Sequence, residues 1–268
     1  MLVDLHVRSL WSEEVDVAPE QVLERAREAG LDAVAFTDRE VSRHALQLQQ
    51  LGQEAGVGVF VGVEIATDHG VLLGFTPKID RFLLREEWRE AMTIGTPPGQ
   101  YIIDMFERVG GAVVAAHPYH MEIPWAMGDR LFALQGLSAI EVLVPWLSGI
   151  KNDFAIESSV ALELPGVGGS ANRGRDLSQM GQHATAFLGE IADQASFVSA
   201  LRQGNCWAVA IGVDVGDNGA SRERHNNDRK SAPSRGRRDS RGGRGGRGGR
   251  GGRGGGDRDR GRGRNRRR

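Results

Sequence analysis

Histidine, carboxylate and arginine side chains stand close together in three short segments of this chain. Asp4-Leu5-His6-Val7-Arg8 lies near the start, Thr37-Asp38-Arg39 follows, and Gly169-Ser170-Ala171-Asn172-Arg173 comes much later. Imidazole nitrogens and carboxylate oxygens are common protein ligands of divalent metals. Arginine has no acceptor lone pair and stays protonated, so it repels a metal and binds carboxylates or phosphates instead. The segments therefore combine the residue types of a metal centre with cations that disfavour one.

The order and spacing of these segments resemble the PHP family (polymerase and histidinol phosphatase), and the resemblance runs from about Met1 to Ala210. In that family the segments read DLHxH, TDH and GSDAH. Gly62-Val63-Glu64 resembles the family's GxE motif, whose glutamate bridges metals, and Ala116-His117-Pro118 resembles its AHP motif. The resemblance implies an α/β fold, a distorted (β/α)7 barrel. It also implies a site at the strand ends, where metal-bound hydroxide attacks a phosphate ester.

Four positions depart from the family pattern where it has metal ligands. Arg8, Arg39 and Arg173 stand in place of histidines, and Ala171 stands in place of an aspartate. Each arginine replaces a neutral ligand by a fixed positive charge, and the alanine removes a carboxylate. A multinuclear centre is therefore not expected, and no residue is assigned a catalytic role. The ligands that remain would hold at most one divalent ion, such as zinc or manganese: His6, Glu13, Glu64 and His117.

The arginines admit two interpretations, of which the first is an internal ion pair. A buried Glu64 needs a counterion, and Arg8 or Arg39 would supply one in place of a metal. His6 and His117 would then be buried, hydrogen-bonded residues that hold the strand ends.

The second interpretation is an anion site. Arg8, Arg39 and Arg173, with Arg175 nearby, would present guanidinium groups to a phosphate. This would be a binding site without chemistry, and the sequence leaves both interpretations open.

Short apolar runs alternate with longer amphipathic stretches, which is typical of βα units in a parallel sheet or barrel. The predicted strands are 2–5, 33–36, 57–65, 71–75, 112–116, 139–144, 167–169, 184–188 and 207–211. The predicted helices are 19–30, 43–53, 98–109, 153–162 and 194–202. The motif residues lie at or just beyond the ends of predicted strands, where a barrel places its site.

The formal net charge of −1 is the sum of two strongly charged parts. Residues 217–268 contain 19 lysines and arginines against 6 aspartates and glutamates, a balance of +13, and the preceding residues carry 15 against 29, a balance of −14. We therefore predict one acidic barrel domain over residues 1–212 and a basic tail over residues 213–268. The tail has almost no apolar residues and is predicted to be disordered.

The tail contains RGG units in register, and their arginines are Arg241, Arg244, Arg247, Arg250 and Arg253. They resemble the RGG boxes of RNA-binding proteins, in which arginines contact phosphates and bases while glycine leaves the backbone free. This predicts RNA or another single-stranded nucleic acid as the partner, bound with little sequence preference and strong salt dependence. A solubilising or self-associating tail that folds back on the acidic body is the alternative.

Cys206 is the single cysteine, so an internal disulfide is excluded, and it lies in an apolar run that predicts a buried structural thiol. No apolar run approaches the ~18 residues that a membrane helix needs, and the start does not resemble a signal peptide. These features predict a cytoplasmic protein without a membrane segment. They leave the oligomeric state open.

Two classes of function compete. The first is a nucleic-acid-binding protein, directed to RNA by its tail, with a catalytically degenerate PHP-like barrel. The second is an active metal-dependent phosphoesterase, a phosphatase or a nuclease, that works with a reduced metal site. The replaced ligands favour the first.

Overall fold

Strands and helices alternate along the part of the chain that the computed structural model describes, residues 1–12, 14–39, 44–79, 95–120 and 126–212. The strands are β1 Leu2–Val7, β2 Ala33–Phe36, β3 Gly58–Thr67, β4 Gly70–Phe75, β5 Ala112–Ala115, β6 Ala139–Leu143, β7 Gly166–Gly168, β8 His183–Phe187 and β9 Cys206–Ala210. The helices are α1 Pro19–Glu28, α2 Ala45–Ala55, α3 Gly99–Arg108, α4 Gly149–Ala161 and α5 Gln194–Gln203, with a 3-10 helix at Gly128–Ala133. Each predicted strand and helix is present within a few residues of its expected bounds.

The described strands form one sheet in the order β7-β6-β5-β4-β3-β2-β1-β8-β9. Its two ends approach each other, since β7 contacts both β8 and β9. Thr185 Oγ1 on β8 accepts a hydrogen bond from the Gly168 amide and donates one to the Gly168 carbonyl, at 2.9 and 2.8 Å. The predicted α/β barrel is therefore confirmed as a nearly closed sheet with helices around it.

The barrel is mixed, whereas alternating βα units led us to expect parallel strands. Asp68 and His69 alone separate β3 from β4, and a connection this short makes an antiparallel hairpin, because a parallel crossover needs a dozen or more residues. The pairs β4–β5, β1–β8 and β8–β9 are also antiparallel. The parallel strands β1, β2 and β3 run side by side and carry the first motifs.

Aromatic packing closes the end of the barrel at which β1, β2 and β3 begin. Phe197 on α5 stacks on Phe60, with ring centroids 4.2 Å apart, and also contacts Phe75 and Phe187. These residues lie near the start of β3 and at the ends of the antiparallel strands β4 and β8. The opposite end of the barrel is left for the polar motif residues.

The contacts within the chain make Met1–Asp214 one compact unit. None of the helices in the described ranges is long and apolar enough to cross a bilayer. Cys206 is buried in β9, and burial raises the pKa of its thiol to about 12. The five RGG arginines belong to residues 213–268, which lie outside the described residues, as does Glu13.

Candidate functional site

The family motifs meet around a cavity of about 330 Å³ at the end of the barrel where β1 and β2 finish. His6 lies beneath it, with no exposed surface. The cavity is lined by Arg8, Glu14, Arg39, Glu64, Ala66, Val71, His117, His120, Trp146, Ala171 and Arg173. Six of these are sequence-predicted site residues, so the structure brings together all the predicted site residues that it describes. Arg175 is not among the lining residues, because its exposed side chain pairs with Asp16 instead.

Glu64 on β3 is the centre of the polar network. Its carboxylate accepts hydrogen bonds from His6 Nε2 at 2.8 Å, from Arg39 Nη2 at 3.1 Å and from Arg39 Nε at 3.2 Å. Arg8 Nη1 lies 3.6 Å from the same carboxylate. The expected ion pairs of Glu64 with Arg8 and Arg39 are therefore present. Burial alone would raise the pKa of Glu64, but the hydrogen bond from His6 and the charge of Arg8 hold it well below its usual range.

A second carboxylate, Glu14, completes the pairing of both arginines at the rim. Its Oε2 lies 3.1 Å from Arg8 Nη1 and its Oε1 lies 3.0 Å from Arg39 Nη1. The Glu14 side chain is 55% exposed, against 4% for Glu64. The sequence directed attention to Glu13 as the acid after the first motif. Its neighbour Glu14 is the described residue that bridges the two guanidinium groups.

Glu141 on β6 is a site residue that the sequence reasoning missed. It is buried, its Oε1 lies 3.1 Å from His6 Nδ1, and its Oε2 accepts the His117 amide at 2.9 Å. One carboxylate thus orients both motif histidines. The only sequence signal was a lone acidic residue inside the apolar run 139–144, and that signal does not say which face of the strand is interior.

His6 and His117 have opposite protonation preferences although their rings stack with centroids 5.6 Å apart. Burial alone would lower the pKa of His6, but the adjacent carboxylates of Glu141 and Glu64 raise it to about 9. Burial lowers the pKa of His117 to about 4. At neutral pH, His6 is therefore an imidazolium that bridges two carboxylates, and His117 is neutral.

The loop after β7 is joined closely to the end of β1. Arg8 N donates to Asn172 Oδ1 at 2.7 Å, and Asn172 Nδ2 donates back to the Arg8 carbonyl at 2.9 Å. Arg8 Nη2 also donates to the Asn172 carbonyl at 2.9 Å. A Cβ at Gly169 would lie 2.8 Å from the His6 nitrogen, so glycine is required for this approach. These contacts fix Arg8 in the position of a missing ligand.

Asp38 and Asp4 frame the site from below. Asp38 accepts hydrogen bonds from Ser9 N, Ser9 Oγ and Ser12 Oγ at 2.6 to 2.7 Å, so its role here is structural. Asp4 Oδ1 accepts the Ser170 amide at 2.8 Å and so connects β1 to the loop after β7. Asp38 thus serves backbone and hydroxyl donors, and Asp4 serves the backbone amides of His6 and Ser170.

Ala171, in the position of the family's aspartate, adopts a left-handed backbone with φ +44°. Its amide donates to the His6 carbonyl at 2.8 Å. Its carbonyl accepts Trp146 Nε1 at 3.1 Å, so neighbours hold this conformation in place. Aspartate and asparagine adopt this region more readily than alanine does, so the substitution leaves strain behind.

We predict that Ala171→Gly raises the free energy of unfolding by about 0.5 to 1 kcal/mol, since relief of left-handed strain exceeds the added entropy of the unfolded chain. Chemical denaturation measures it. Ala115→Gly in β5 is the matched control, and it should lower stability by at least ~0.5 kcal/mol because glycine weakens a strand. Destabilisation by both substitutions would show that Ala171 is not strained.

The donor set of this site fits one metal ion better than several. Among the described residues, His6, His117 and Glu141 form a group whose potential ligand atoms lie within 4.8 Å of one another. Two imidazoles and a carboxylate are a suitable set for zinc, provided that His6 first gives up the proton that it shares with its two carboxylates. Further ions would need Glu64, but this carboxylate is already bonded to cations. The residues that the structure describes around this cavity fit a single ion at most.

Comparison with known proteins agrees with the barrel and its motifs. The PHP domain pattern matches residues 4–121. The Methanocaldococcus jannaschii protein MJ1587 is 32% identical over 177 residues, which are 62% of this chain and 94% of that protein.

Solved structures of several other proteins share the fold. One is a protein from Bifidobacterium adolescentis that has a provisional description as a metal-dependent phosphoesterase. It superposes with a TM-score of 0.52 and 16% identity, over 75% of this chain and 96% of that protein's chain. Endonuclease Q, in complex with a 27-mer duplex substrate that carries an abasic lesion, superposes with a TM-score of 0.54 and 16% identity. The match covers 77% of this chain and 58% of Endonuclease Q, so this chain spans somewhat more than half of that enzyme. On its motifs, its barrel and its relative in Methanocaldococcus jannaschii, this chain belongs to the PHP domain family.

Proposed function

We propose that this protein binds nucleic acid, above all RNA, through its basic tail. We also propose that its barrel does not hydrolyse phosphate esters with a multinuclear metal centre. The second proposal is supported by the hydrogen bonds and ion pairs of the Glu64 carboxylate. The carboxylate that bridges metals in the family is bonded here to Arg39 and His6 and lies beside Arg8. Fixed protein cations stand where the family holds ions.

Electrostatics supports this proposal. A divalent ion at Glu64 would meet two guanidinium groups at close range, and like charges in a poorly solvated site repel strongly. Arg8 and Arg39 cannot lose their protons to admit the ion. Arg8 is also held by Asn172 on its amide, its carbonyl and its guanidinium group. Moving it aside would break these bonds.

The charge distribution supports the tail as the nucleic-acid site. Residues 217–268 carry +13 and residues 1–216 carry −14, so phosphate is attracted to the first and repelled by the second. The superposition with Endonuclease Q, whose structure contains a 27-mer duplex substrate with an abasic lesion, supports nucleic acid as a ligand class for this fold.

We predict that the fragment 217–268 binds single-stranded RNA more tightly than the full chain, and that residues 1–216 bind it negligibly. Because the body carries −14, we expect it to attract the tail in competition with RNA, and the isolated tail is free of this competition. If about five arginines contact phosphate, the slope of log K against log salt should be near −3.5, at about −0.7 per phosphate. RNA affinity of the three proteins at several salt concentrations measures both effects.

Substitution of the five RGG arginines distinguishes the contribution of charge to RNA affinity from the contribution of stacking. Lysine retains the charge, so the salt slope should persist while affinity falls, whereas glutamine should flatten the slope. Full RNA binding by residues 1–216 would contradict the assignment and move the site to the arginine-lined cavity. The substituted residues are Arg241, Arg244, Arg247, Arg250 and Arg253.

A second candidate function is a metal-dependent phosphoesterase that uses one ion. The convergence of His6, His117 and Glu141 supports it, as does the fold shared with a protein described as a phosphoesterase. A bound ion would supply Lewis acidity and an activated water. The chain's own contribution would be orientation, since Glu141 holds the His6 ring and the His117 backbone.

Phosphodiester turnover in the presence of manganese or zinc tests the second candidate. Activity that disappears in both His117→Ala and Glu141→Ala, and persists in the control His69→Ala at the β3–β4 hairpin, would establish it. Equal residual activity in all variants would exclude it.

A further inference from the structure

An apolar groove of about 750 Å³ lies between the 3-10 helix and α4, apart from the arginine-lined cavity. Phe132 on the 3-10 helix and Ile150 and Phe154 on α4 line it, and all three side chains are exposed. Tyr119 also lines the groove. Its ring lies 5.6 Å from that of Phe154, and its hydroxyl is hydrogen-bonded to Ser158 Oγ at 2.7 Å. Large apolar side chains that cluster on a surface in this way indicate a protein interface.

The residues of α4 that line the groove share one face of the helix, because most of them recur at intervals of three and four residues. Asn152, Ala155 and Ser159 are buried on the opposite face. The helix therefore packs on the barrel with one face and directs the other toward the groove. The groove face consists of Ile150, Phe154, Glu157 and Ala161, with Lys151 and Ser158 beside them.

The groove face of α4 complements itself about Phe154. When two copies of a helix pack antiparallel about a two-fold axis, residues equally far before and after the axis meet. With Phe154 at the axis, Lys151 of each copy lies opposite Glu157 of the other, which gives two ion pairs. Ile150 lies opposite Ser158, so a large exposed side chain meets a small one. The same face thus supplies both halves of an interface.

We propose that this protein forms a homodimer in which the groove faces of α4 pack against each other across a two-fold axis. The placement of opposite charges three residues before and three residues after Phe154 favours a second copy as the occupant, since an unrelated partner does not require this face to complement itself. The dimer is independent of the Glu64 network and of nucleic-acid binding by the tail.

Sedimentation equilibrium of the full chain over a range of concentrations tests the dimer, and we expect a reversible equilibrium between one and two copies. Ile150→Asp should raise the Kd of the dimer by about 10-fold or more, because it places an unpaired charge in an apolar contact. The variant should still fold, since an acidic residue is favourable in the first turn of a helix. Leu46→Asp is the matched control. Both residues are second in their helices, with side chains 67% exposed at Ile150 and 75% exposed at Leu46, and the control should leave the Kd unchanged.

Reversal of charge at the two ionic positions tests the two-fold arrangement itself. Lys151→Glu and Glu157→Lys should each raise the Kd by about 10-fold or more, because each brings like charges together twice. The double variant with both substitutions should recover most of the affinity. A mixture of the two single variants should form mixed dimers, because all four facing charges are then opposite in sign.

A full chain that remains monomeric throughout the concentration range would overturn the inference. Association that persists unchanged in Ile150→Asp and in both single charge variants would also overturn it, since the copies would then meet through another surface. Failure of the double variant and of the mixture to associate would exclude the antiparallel pairing of α4.

Discussion

Glu64→Ala is expected to lower the free energy of unfolding by about 3 to 5 kcal/mol, because it leaves buried cations without their shared carboxylate. His6 and Arg8 have almost no exposed surface, so water cannot replace Glu64 for them. Urea or guanidinium denaturation of the purified variant measures the loss.

Glu14→Ala is the matched control, since Glu14 binds the same two arginines from the exposed rim. An exposed ion pair contributes little, and the control should cost less than about 1 kcal/mol. The two arginines should also differ. Arg8→Ala should cost more than Arg39→Ala, because the Arg8 side chain is 8% exposed and that of Arg39 is 41% exposed. If both arginine variants leave the melting temperature unchanged, the pairing of these arginines with Glu64 does not stabilise the fold.

Reversion of the four departures should restore a metal centre. We expect a protein with Arg8→His, Arg39→His, Ala171→Asp and Arg173→His to bind about two or more divalent ions per chain, since it removes three fixed positive charges and adds ligands where the family has them. Metal analysis after loading with zinc or manganese and desalting measures the number of ions.

A charge-matched variant isolates the role of the ligands. Glutamine at the three arginine positions and asparagine at Ala171 remove the same positive charges without supplying imidazole or carboxylate. This protein should bind no more metal than the unaltered chain. If it gains as many ions as the reverted protein, charge alone explains the loss. If neither gains metal, the arginine positions are not former ligand positions.

The resemblance to the PHP family implied the barrel and the meeting of its motifs, and the alternation of apolar runs with amphipathic stretches agreed with it. His6, Arg39 and His117 lie at or just beyond the ends of apolar runs, and the ends of neighbouring strands meet at one end of a barrel. The pairing of Arg8 and Arg39 with Glu64 followed from charge, since a buried carboxylate needs a partner. These contacts needed no knowledge of side-chain geometry beyond the order of the motifs.

Other features depend on geometry that the sequence does not carry. Glu141 became visible only when β6 placed it on the interior face between the two histidines. The strain at Ala171 depends on a backbone angle, and the contact of Arg173 with the Trp146 ring depends on the path of two separate loops. The antiparallel strand β4 was unexpected because a two-residue connection resembles any other short turn in the apolar pattern.

We propose that protein cations replace the metals of this family, and the metal content of the unaltered full chain tests this most directly. After incubation with excess manganese or zinc and removal of unbound ions, we predict less than about one ion per chain, because Arg8, Arg39 and His6 already occupy Glu64. About two or more tightly bound ions, together with phosphodiester hydrolysis that is lost in His117→Ala and Glu64→Ala, would contradict the account.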